Sequence, residues 1–388
     1  MDFSFSQDER MIRDMVRDFA DGVLRPQVQE WERRGEFPLE LIPRLAEAGL
    51  LGMSIPEAYE GSNLRTPSYC LAIEELARVS ASAAVTVSVT NSVCGYPISR
   101  FGTASQKDKY LKRLARGQIL GGFCLTEPGA GSDAAGIVTG YRRAAGKFIL
   151  NGLKSWVTNA KIGSLFIVMA TRDRRERGAG ISAFLVESSF PGFSFGRLED
   201  KLGLRSSATG EVRLDDCEVP VENLLGEEGK GLAIALHCLT VGRVGIASQA
   251  IGIAREAFEV ARKYARERMA FGRPIASFQG IQFQLADMAT EIDAARWLTL
   301  RAASMRDRGI IDFSKESSMA KLFASEMANR VTYRAIQIHG AYGYSKEYPV
   351  ERYFRDARVT TIYEGSSEIQ RLVIARQLLA ETRSNAAD

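Results

Sequence analysis

Glu364 is the residue in this chain with the most chemistry open to it. It precedes Gly365 on a turn, and Ser367-x-x-Gln370 has the pattern of a capping box that begins a helix, so the carboxylate stands just outside a helix N-terminus. A carboxylate so placed can serve as a general base. The helix dipole would pull its pKa down, burial against an apolar ligand would push it up, and only the second effect brings it near neutral pH. The alternative is a solvated surface acid. Upstream, Phe123-Cys-Leu-Thr-Glu-Pro-Gly-Ala-Gly-Ser132 joins glycines, which let backbone N–H groups approach a ligand, to the hydroxyls of Thr126 and Ser132, which suit ring heteroatoms or phosphate oxygens. A Pro-Gly turn between strands uses the same letters. Trp156-Val-Thr158 sets an aromatic and a hydroxyl on one strand face, where they would wall a flat heterocycle; a tryptophan taken alone is more often core.

Other chemistries find little support. The two histidines, His237 and His339, are too isolated for a metal centre, and no serine sits in a G-x-S-x-G elbow. Gly129-Ala-Gly131-Ser-Asp-Ala134 matches G-x-G-x-x-A, but that fingerprint needs a strand before it and a helix after it, and here the chain leads toward a hairpin. The five cysteines, Cys70, Cys94, Cys124, Cys217 and Cys238, are odd in number and contain no C-x-x-C pair, which argues against a disulfide framework and for a reducing compartment. With 51 basic and 47 acidic residues, net +4 and no polybasic block, no nucleic-acid partner is expected. The N-terminus lacks the basic and apolar regions of a secretory signal, so a cytoplasmic protein is expected, with a mature matrix enzyme left open. Ser80 to Ser99, the longest weakly polar stretch, contains Asn91 and reads as a buried helix, not a membrane span.

The elements that must position these groups fall into three zones, an α+β multidomain arrangement. Residues 1–120 read as an N-terminal helical bundle. Ser6-x-x-Glu9 is a capping box, Met11, Met15, Phe19 and Val23 mark one helix face, and Pro26 bends or ends that helix. Further helices are expected over Leu39 to Leu50, Pro67 to Val79 and Ser105 to Arg116. Residues 121–230 change to short β-prone runs, with a tight hairpin expected at Asn151-Gly152, and predict a middle antiparallel β domain, sandwich or barrel. Residues 231–388 return to helix over Gly231 to Arg266, Phe278 to Arg308, Ser314 to Ile338 and Ser367 to Leu379, a C-terminal four-helix bundle.

Five motifs taken together carry a resemblance. Leu125-Thr-Glu-Pro-Gly-Ala-Gly-Ser-Asp133, Lys154-Ser-Trp-Val-Thr-Asn159, Arg268-Met-Ala-Phe-Gly272, Gln337-Ile-His-Gly340 and Ile362-Tyr-Glu-Gly-Ser-Ser-Glu-Ile-Gln370 occur in the order and spacing of the acyl-CoA dehydrogenases. The chain resembles that family over essentially its whole length. The resemblance implies an FAD enzyme, active in fatty-acid β-oxidation, that desaturates an acyl-CoA thioester to the trans-2-enoyl-CoA. It implies that Glu364 takes the α-proton while hydride leaves the β-carbon for flavin N5. The thioester oxygen would be held by the Glu364 N–H and a flavin ribityl hydroxyl, an oxyanion hole worth roughly 3 kcal/mol per donor. Electrons would pass to an electron-transferring flavoprotein. An oxidase of the same fold using oxygen, and a non-redox or DNA-associated flavoprotein, are the alternatives.

Site residues follow from the same resemblance. Phe123, Leu125, Thr126, Gly131 and Ser132, with Trp156, Val157 and Thr158, would hold the flavin ring and neighbouring phosphate. Ser366, Ser367 and Glu368 would meet the adenosine side, Ser366 standing where the family commonly has threonine. Arg268, Phe271 and Gln279, with Gln337, Ile338, Gly340 and Ala341, would reach FAD across a subunit interface in a homotetramer built as a dimer of dimers. Ser132, Thr240, Arg243 and Gly365 would contact substrate. Some relatives place the base one residue before the arginine that matches Arg243; here that position is Gly242, which leaves Glu364 as the base. Short-chain relatives carry an acid where Thr240 stands. The resemblance also places Val79 to Ser99 near the acyl pocket, where the lack of lysine and arginine suits a neutral acyl group. Met-Ala-Phe-Gly272 with Gly242-Arg-Val-Gly-Ile-Ala-Ser-Gln249 resembles short-chain and branched short-chain members most, which implies short or medium chains.

Overall fold

The computed structural model describes residues 4–310 and 312–384, with side chains up to residue 380. The chain opens with α1 (Gln7–Phe19), which starts at the expected capping box: Ser6 Oγ accepts from the Glu9 N–H at 3.2 Å, and Glu9 accepts from the Ser6 N–H at 2.8 Å. The buried stripe differs from expectation. Met11 and Met15 are exposed, and the packed positions are Val16, Ala20 and Leu24, one residue further along the four-residue spacing. Phe19 and Val23 of the expected stripe still pack partly against the core, so the buried face is rotated by about one residue and leaves the two methionines outside it. A π-helical turn, Ala20–Leu24, precedes Pro26, and α2 (Val28–Arg34) follows.

α3 (Leu41–Glu47), α4 (Thr66–Val79), α5 (Ala81–Val89), α6 (Tyr96–Phe101) and α7 (Ala104–Ala115) complete the first block. The weakly polar stretch is buried as expected, but it is two helices joined by a π-helical turn at Thr90–Gly95. Asn91 explains its own presence there. Its amide donates to the carbonyls of Leu50 (2.8 Å) and Val87 (2.9 Å), and its carbonyl accepts from the Ser54 N–H (3.0 Å).

The middle block is one sheet: β1 (Gly121–Cys124), β2 (Gly140–Ala144), β3 (Lys147–Thr158), β4 (Leu165–Thr171), β5 (Ile181–Glu187), β6 (Phe193–Leu198), β7 (Thr209–Pro220) and β8 (Leu224–Leu225). The strand order is β6-β7-β3-β2-β4-β5-β8, with β1 on β4. Two expectations need correction. The sheet is mixed, because β1 and β2 each pair with β4 in parallel while the other pairs are antiparallel. The hairpin turn is also not at Asn151-Gly152; it is at Ala145-Gly146, both with positive φ, between Ala144 and its partner Lys147. β3 runs straight through Asn151 and Gly152 with a register shift against β7. Gly152 is needed for close approach, since a Cβ there would sit 2.4 Å from Thr139 Oγ1, and Asn151 is held by Asp216. β4 is buried throughout: Leu165, Ile167 and Met169 face the helices, while Phe166, Val168 and Ala170 face a second core under β3 and β7.

The C-terminal block holds α8 (Gly231–Glu267), the small pair β9 (Met269–Ala270) and β10 (Arg273–Pro274), α9 (Gln279–Asp307), α10 (Ser314–His339), α11 (Val350–Arg358) and α12 (Ser367–Ser384). The sequence reading missed α11, a short helix with strongly charged text. α8 is long and apolar enough to cross a membrane, but it spends those residues packing against α10, α4 and α9. Carboxylates of α4 pin the two helical blocks together. Glu74 meets Arg255 of α8 and Arg296 of α9, each at 2.6 Å, and Arg78 meets Glu256 of α8 at 3.0 Å. All five cysteines are buried and unpaired.

Candidate functional site

Glu364 lies on the turn between α11 and α12, where three helices converge. Its backbone is left-handed, with φ 50°, and Gly365 follows with φ 91°. A left-handed glutamate is uncommon and persists only where its surroundings hold it. The anchors are explicit. Tyr363 Oη donates to Gln249 of α8, Gln370 of α12 donates to the carbonyls of Glu364 (3.1 Å) and Gly365 (2.8 Å), and Lys321 of α10 donates to the Gly365 carbonyl at 2.8 Å. The expected capping box is therefore not formed. Ser367 instead donates to Glu326 at 2.7 Å, and Gln370 reaches back to the turn.

The Glu364 carboxyl points into the protein. Its Oε2 is buried without a hydrogen-bond partner, and a Cβ on Gly242 of α8 would lie 2.2 Å from that atom. Gly242 is thus the space in which the carboxyl sits. Burial pushes the Glu364 pKa up to about 7, against the opposing pull of Lys321 and Arg243. Arg243 is itself buried and donates to Ser318 Oγ at 3.1 Å, with Nε unpaired; desolvation lowers its pKa and Glu364 opposes that. One turn along α8, Gly245 faces Tyr69 and Ser88, whose hydroxyls are bonded at 2.9 Å; a Cβ there would come within 2.8 Å of either oxygen. Thr240 turns its hydroxyl onto the Leu236 carbonyl of its own helix, at 3.0 Å.

A second group gathers on the sheet. Trp156 sits where β3 shifts register against β7, with φ 59° and 60% of its surface exposed, while Val157 beside it is buried. The bulge throws the indole outward. Thr126, Phe123 and Thr158 are half-buried nearby in the fold, Leu125 is buried, and Gly131 and Ser132 are exposed. Ser155 N–H on the Thr126 carbonyl (2.9 Å) ties the loop to the bulge. The sequence reading missed what holds this loop. Lys154, fully buried, bonds Glu127 at 2.7 Å and the Leu125 carbonyl at 3.1 Å, and Glu127 also accepts from the N–H groups of Val138 and Thr139. Burial pushes the Glu127 carboxyl up, but Lys154 and these donors outweigh it and leave it below its ordinary value. A lysine on the same alternation as Phe148 and Leu150 was the available signal.

A third group is an exposed face. Arg268, capping α8, lies over the Tyr342 ring at 5.5 Å, so it stands beside the turn that contains Gly340 and Ala341. Phe271, between β9 and β10, is 95% exposed and has φ 51°; Tyr344 is 89% exposed. Gln279 and Gln337 are exposed as well, whereas Ile338 is buried and has only its backbone to offer. Glu368 is exposed at the start of α12, Ser366 before it is half-buried, and Ser367 is buried.

Comparison with known proteins gives consistent matches along the chain. Residues 6–118, 122–217 and 229–379 match the models of the acyl-CoA dehydrogenase N-terminal, middle and C-terminal domains. The mitochondrial short-chain specific acyl-CoA dehydrogenase of Mus musculus is 48% identical, over 97% of this chain and 91% of that protein. Butyryl-CoA dehydrogenase from Megasphaera elsdenii is 44% identical with a TM-score of 0.96, covering 98% of this chain and 100% of that one. A chain solved in work on the electron transferring flavoprotein of Acidaminococcus fermentans and flavin-based electron bifurcation is 46% identical, also with a TM-score of 0.96, over 98% and 100% of the two chains.

A similar acyl-CoA dehydrogenase from Bacillus anthracis, solved in complex with FAD, is 35% identical with a TM-score of 0.92, over 98% of this chain and 68% of that one. The residues here fit such a group. An outward indole, the hydroxyls of Thr126, Ser132 and Thr158, and Gly131 with open space where a Cβ would be supply the aromatic face and the donors that a flat heterocycle with a phosphate takes. The N–H groups of Gly131 and Ser132 take no backbone acceptor among the described residues. Replacing Lys154 by Met should leave Glu127 buried without its cation, at about 3–5 kcal/mol. A lowered thermal midpoint and less FAD per purified chain are expected, read by melting and by absorbance.

Proposed function

The chain belongs to the acyl-CoA dehydrogenase family and is an FAD-dependent oxidoreductase, and from that premise we propose that it desaturates a short, neutral acyl-CoA thioester to the trans-2-enoyl-CoA with Glu364 as the base. The observation that carries this reading is the Glu364 carboxyl, desolvated against Gly242 and held near neutral pKa. At pH 7 such a group is partly ionised, and once ionised it is more basic than a carboxylate in water, which is what removal of a weakly acidic α-proton requires. Among the described residues the Glu364 N–H makes no backbone–backbone hydrogen bond, so it is available to the thioester oxygen, where charge builds as the α-proton leaves. Bound FAD supplies the acceptor for the hydride that departs from the β-carbon. Thr126, Trp156, Thr158 and Ser132 would hold that cofactor, with Phe123, Leu125, Gly131 and Val157 shaping the wall. Ser366, Ser367 and Glu368 would serve its distal end. Ser132, Thr240 and Gly365 would line the thioester path, and Arg243 would keep a positive charge beside the base.

Chain length follows from α8. Tyr69 and Ser88 close the space beside Gly245, three residues and so about 4.5 Å along the helix from Gly242. An acyl group entering past Glu364 toward them meets a polar, hydrogen-bonded stop within a few carbons. The similarity to short-chain and butyryl-CoA enzymes supports the same choice. Electrons would leave to an electron-transferring flavoprotein, as the Acidaminococcus neighbour suggests. The exposed face of Arg268, Phe271, Gln279, Gln337, Gly340 and Ala341, with the backbone of Ile338, would complete the FAD site of a second copy in a homotetramer.

Three outcomes test this reading. Glu364→Gln should keep its yellow FAD yet lose bleaching by butyryl-CoA under anaerobic conditions; wild-type bleaching would remove Glu364 from its role. Tyr69→Ala should move the butyryl-to-octanoyl ratio of kcat/KM toward the longer chain by roughly tenfold or more, because removing the phenol opens the stop and each methylene that then fits is worth about tenfold or more. Arg268→Ala should lower bound FAD and weaken assembly in sedimentation, and unchanged FAD content with an unchanged tetramer would sink the cross-subunit role.

A further inference from the structure

Lys321 is a cation in an unexpected place. It lies on α10 within a stripe of small buried residues, Ser317, Ser318, Ala320, Ala324 and Ser325, and its own exposure is 0%. A lysine is almost never fully buried without a partner. Its ammonium donates to the Gly365 carbonyl at 2.8 Å, the same oxygen that Gln370 engages at 2.8 Å. That carbonyl closes the left-handed pair formed by Glu364 and Gly365. The charged groups acting on Lys321 are Glu364 on the turn, Arg243 on α8, Glu326 on its own helix and Glu368 on α12. Glu364 has the largest influence of the four, and Lys321 in turn exerts the largest electrostatic pull on Glu364.

We propose that Lys321 is a positioning residue for the base: its ammonium pins the Gly365 carbonyl, so fixing the left-handed Glu364 turn, and provides the positive charge that lets the Glu364 carboxyl ionise out of water. This rests on the reading of Glu364 as the base. A neutral donor would satisfy the Gly365 carbonyl equally well, so the charge is the part of the arrangement that a purely structural role leaves unexplained. Desolvation lowers the Lys321 pKa to about 7, which the neighbouring charge of Glu364 opposes, with smaller help from Glu326 and Glu368. Lys321 and Glu364 therefore titrate as a coupled pair, each favouring the charged form of the other. Arg243 does not replace the lysine: among the described residues it donates to Ser318 and makes no hydrogen bond to the Gly365 carbonyl, and its pull on Glu364 is the smaller of the two.

The test uses the FAD-loaded full-length enzyme without substrate. The Glu364 carboxyl stretch is followed by infrared difference titration, assigned by its disappearance in Glu364→Gln. Lys321→Gln keeps a donor for the Gly365 carbonyl and removes the charge, and should raise the carboxyl midpoint by about one pH unit. The acid limb of kcat/KM for butyryl-CoA should move upward by the same amount. Lys321→Arg keeps the charge and should hold the midpoint within a few tenths of wild type. Equal midpoints in wild type and Lys321→Gln overturn the proposal, as does a shift in Lys321→Arg as large as that in Lys321→Gln. Should Lys321→Gln not fold, Lys321→Arg decides: a midpoint held at the wild-type value supports the charge role and a displaced one overturns it. Wild-type enzyme that no acyl-CoA bleaches would sink the dehydrogenation reading itself, whereas an active wild type with an unmoved Lys321→Gln midpoint sinks only the lysine.

Discussion

A carboxyl taken out of water resists ionising unless nearby positive charge offsets the lost hydration, and the architecture around Glu364 meets that constraint from three sides. α8 supplies the void at Gly242 and the buried guanidinium of Arg243, α10 supplies Lys321, and α12 sends Gln370 back to hold the turn. Remove the void and the carboxyl has nowhere to sit. Remove the cations and burial alone would carry its pKa higher still, leaving the group protonated and unable to accept a proton. The balance leaves it near 7, where a base is strong yet still available.

The rest of the fold keeps those helices in register. The Glu74 and Arg78 ion pairs fasten α4 to α8 and α9, so Tyr69 of α4 cannot drift from Gly245 without breaking charged contacts, and its hydroxyl in turn bonds Ser88 of α5. On the sheet, the buried Lys154–Glu127 pair has the equivalent task, stitching the Phe123–Ser132 loop to the bulge that presents Trp156. Both halves of the site thus use buried lysines against backbone carbonyls and carboxylates. Such pairs add little net stability, but breaking one leaves an uncompensated charge, so they fix geometry firmly.

What the sequence made legible was type and order. Helix–sheet–helix zoning and the Ser6 capping box could be read from period and spacing, whereas the residues around Trp156 and Glu364 stood out only through the family resemblance of five motifs taken together. Errors arose where tertiary packing overrode a local signal. Asn151-Gly152 has hairpin text, but Gly152 is there because Thr139 passes too close for a side chain, and the true turn uses Ala145-Gly146. Ser367 and Gln370 have capping-box text, but their side chains are claimed by Glu326 and the Glu364–Gly365 turn. Lys154 stood inside a motif without a role of its own and Lys321 passed unnoticed, because a single lysine is ordinarily a surface residue; Lys321 stands among small buried residues and Lys154 on the same alternation as Phe148 and Leu150, and that contrast was the readable sign. Gly242 could be excluded as a base from its letter alone, yet its role as the cavity for Glu364 depends on two segments over a hundred residues apart.

If a carboxyl raised to neutral pKa by burial removes the α-proton, single-turnover flavin reduction by butyryl-CoA and its α-deuterated form should show it in the pH dependence of the rate. The rate should rise with pH through a midpoint near 7, because only the ionised carboxyl accepts the proton, together with a primary isotope effect from the α position. A rate flat across neutral pH, or an α-deuterium substitution without effect, would contradict it.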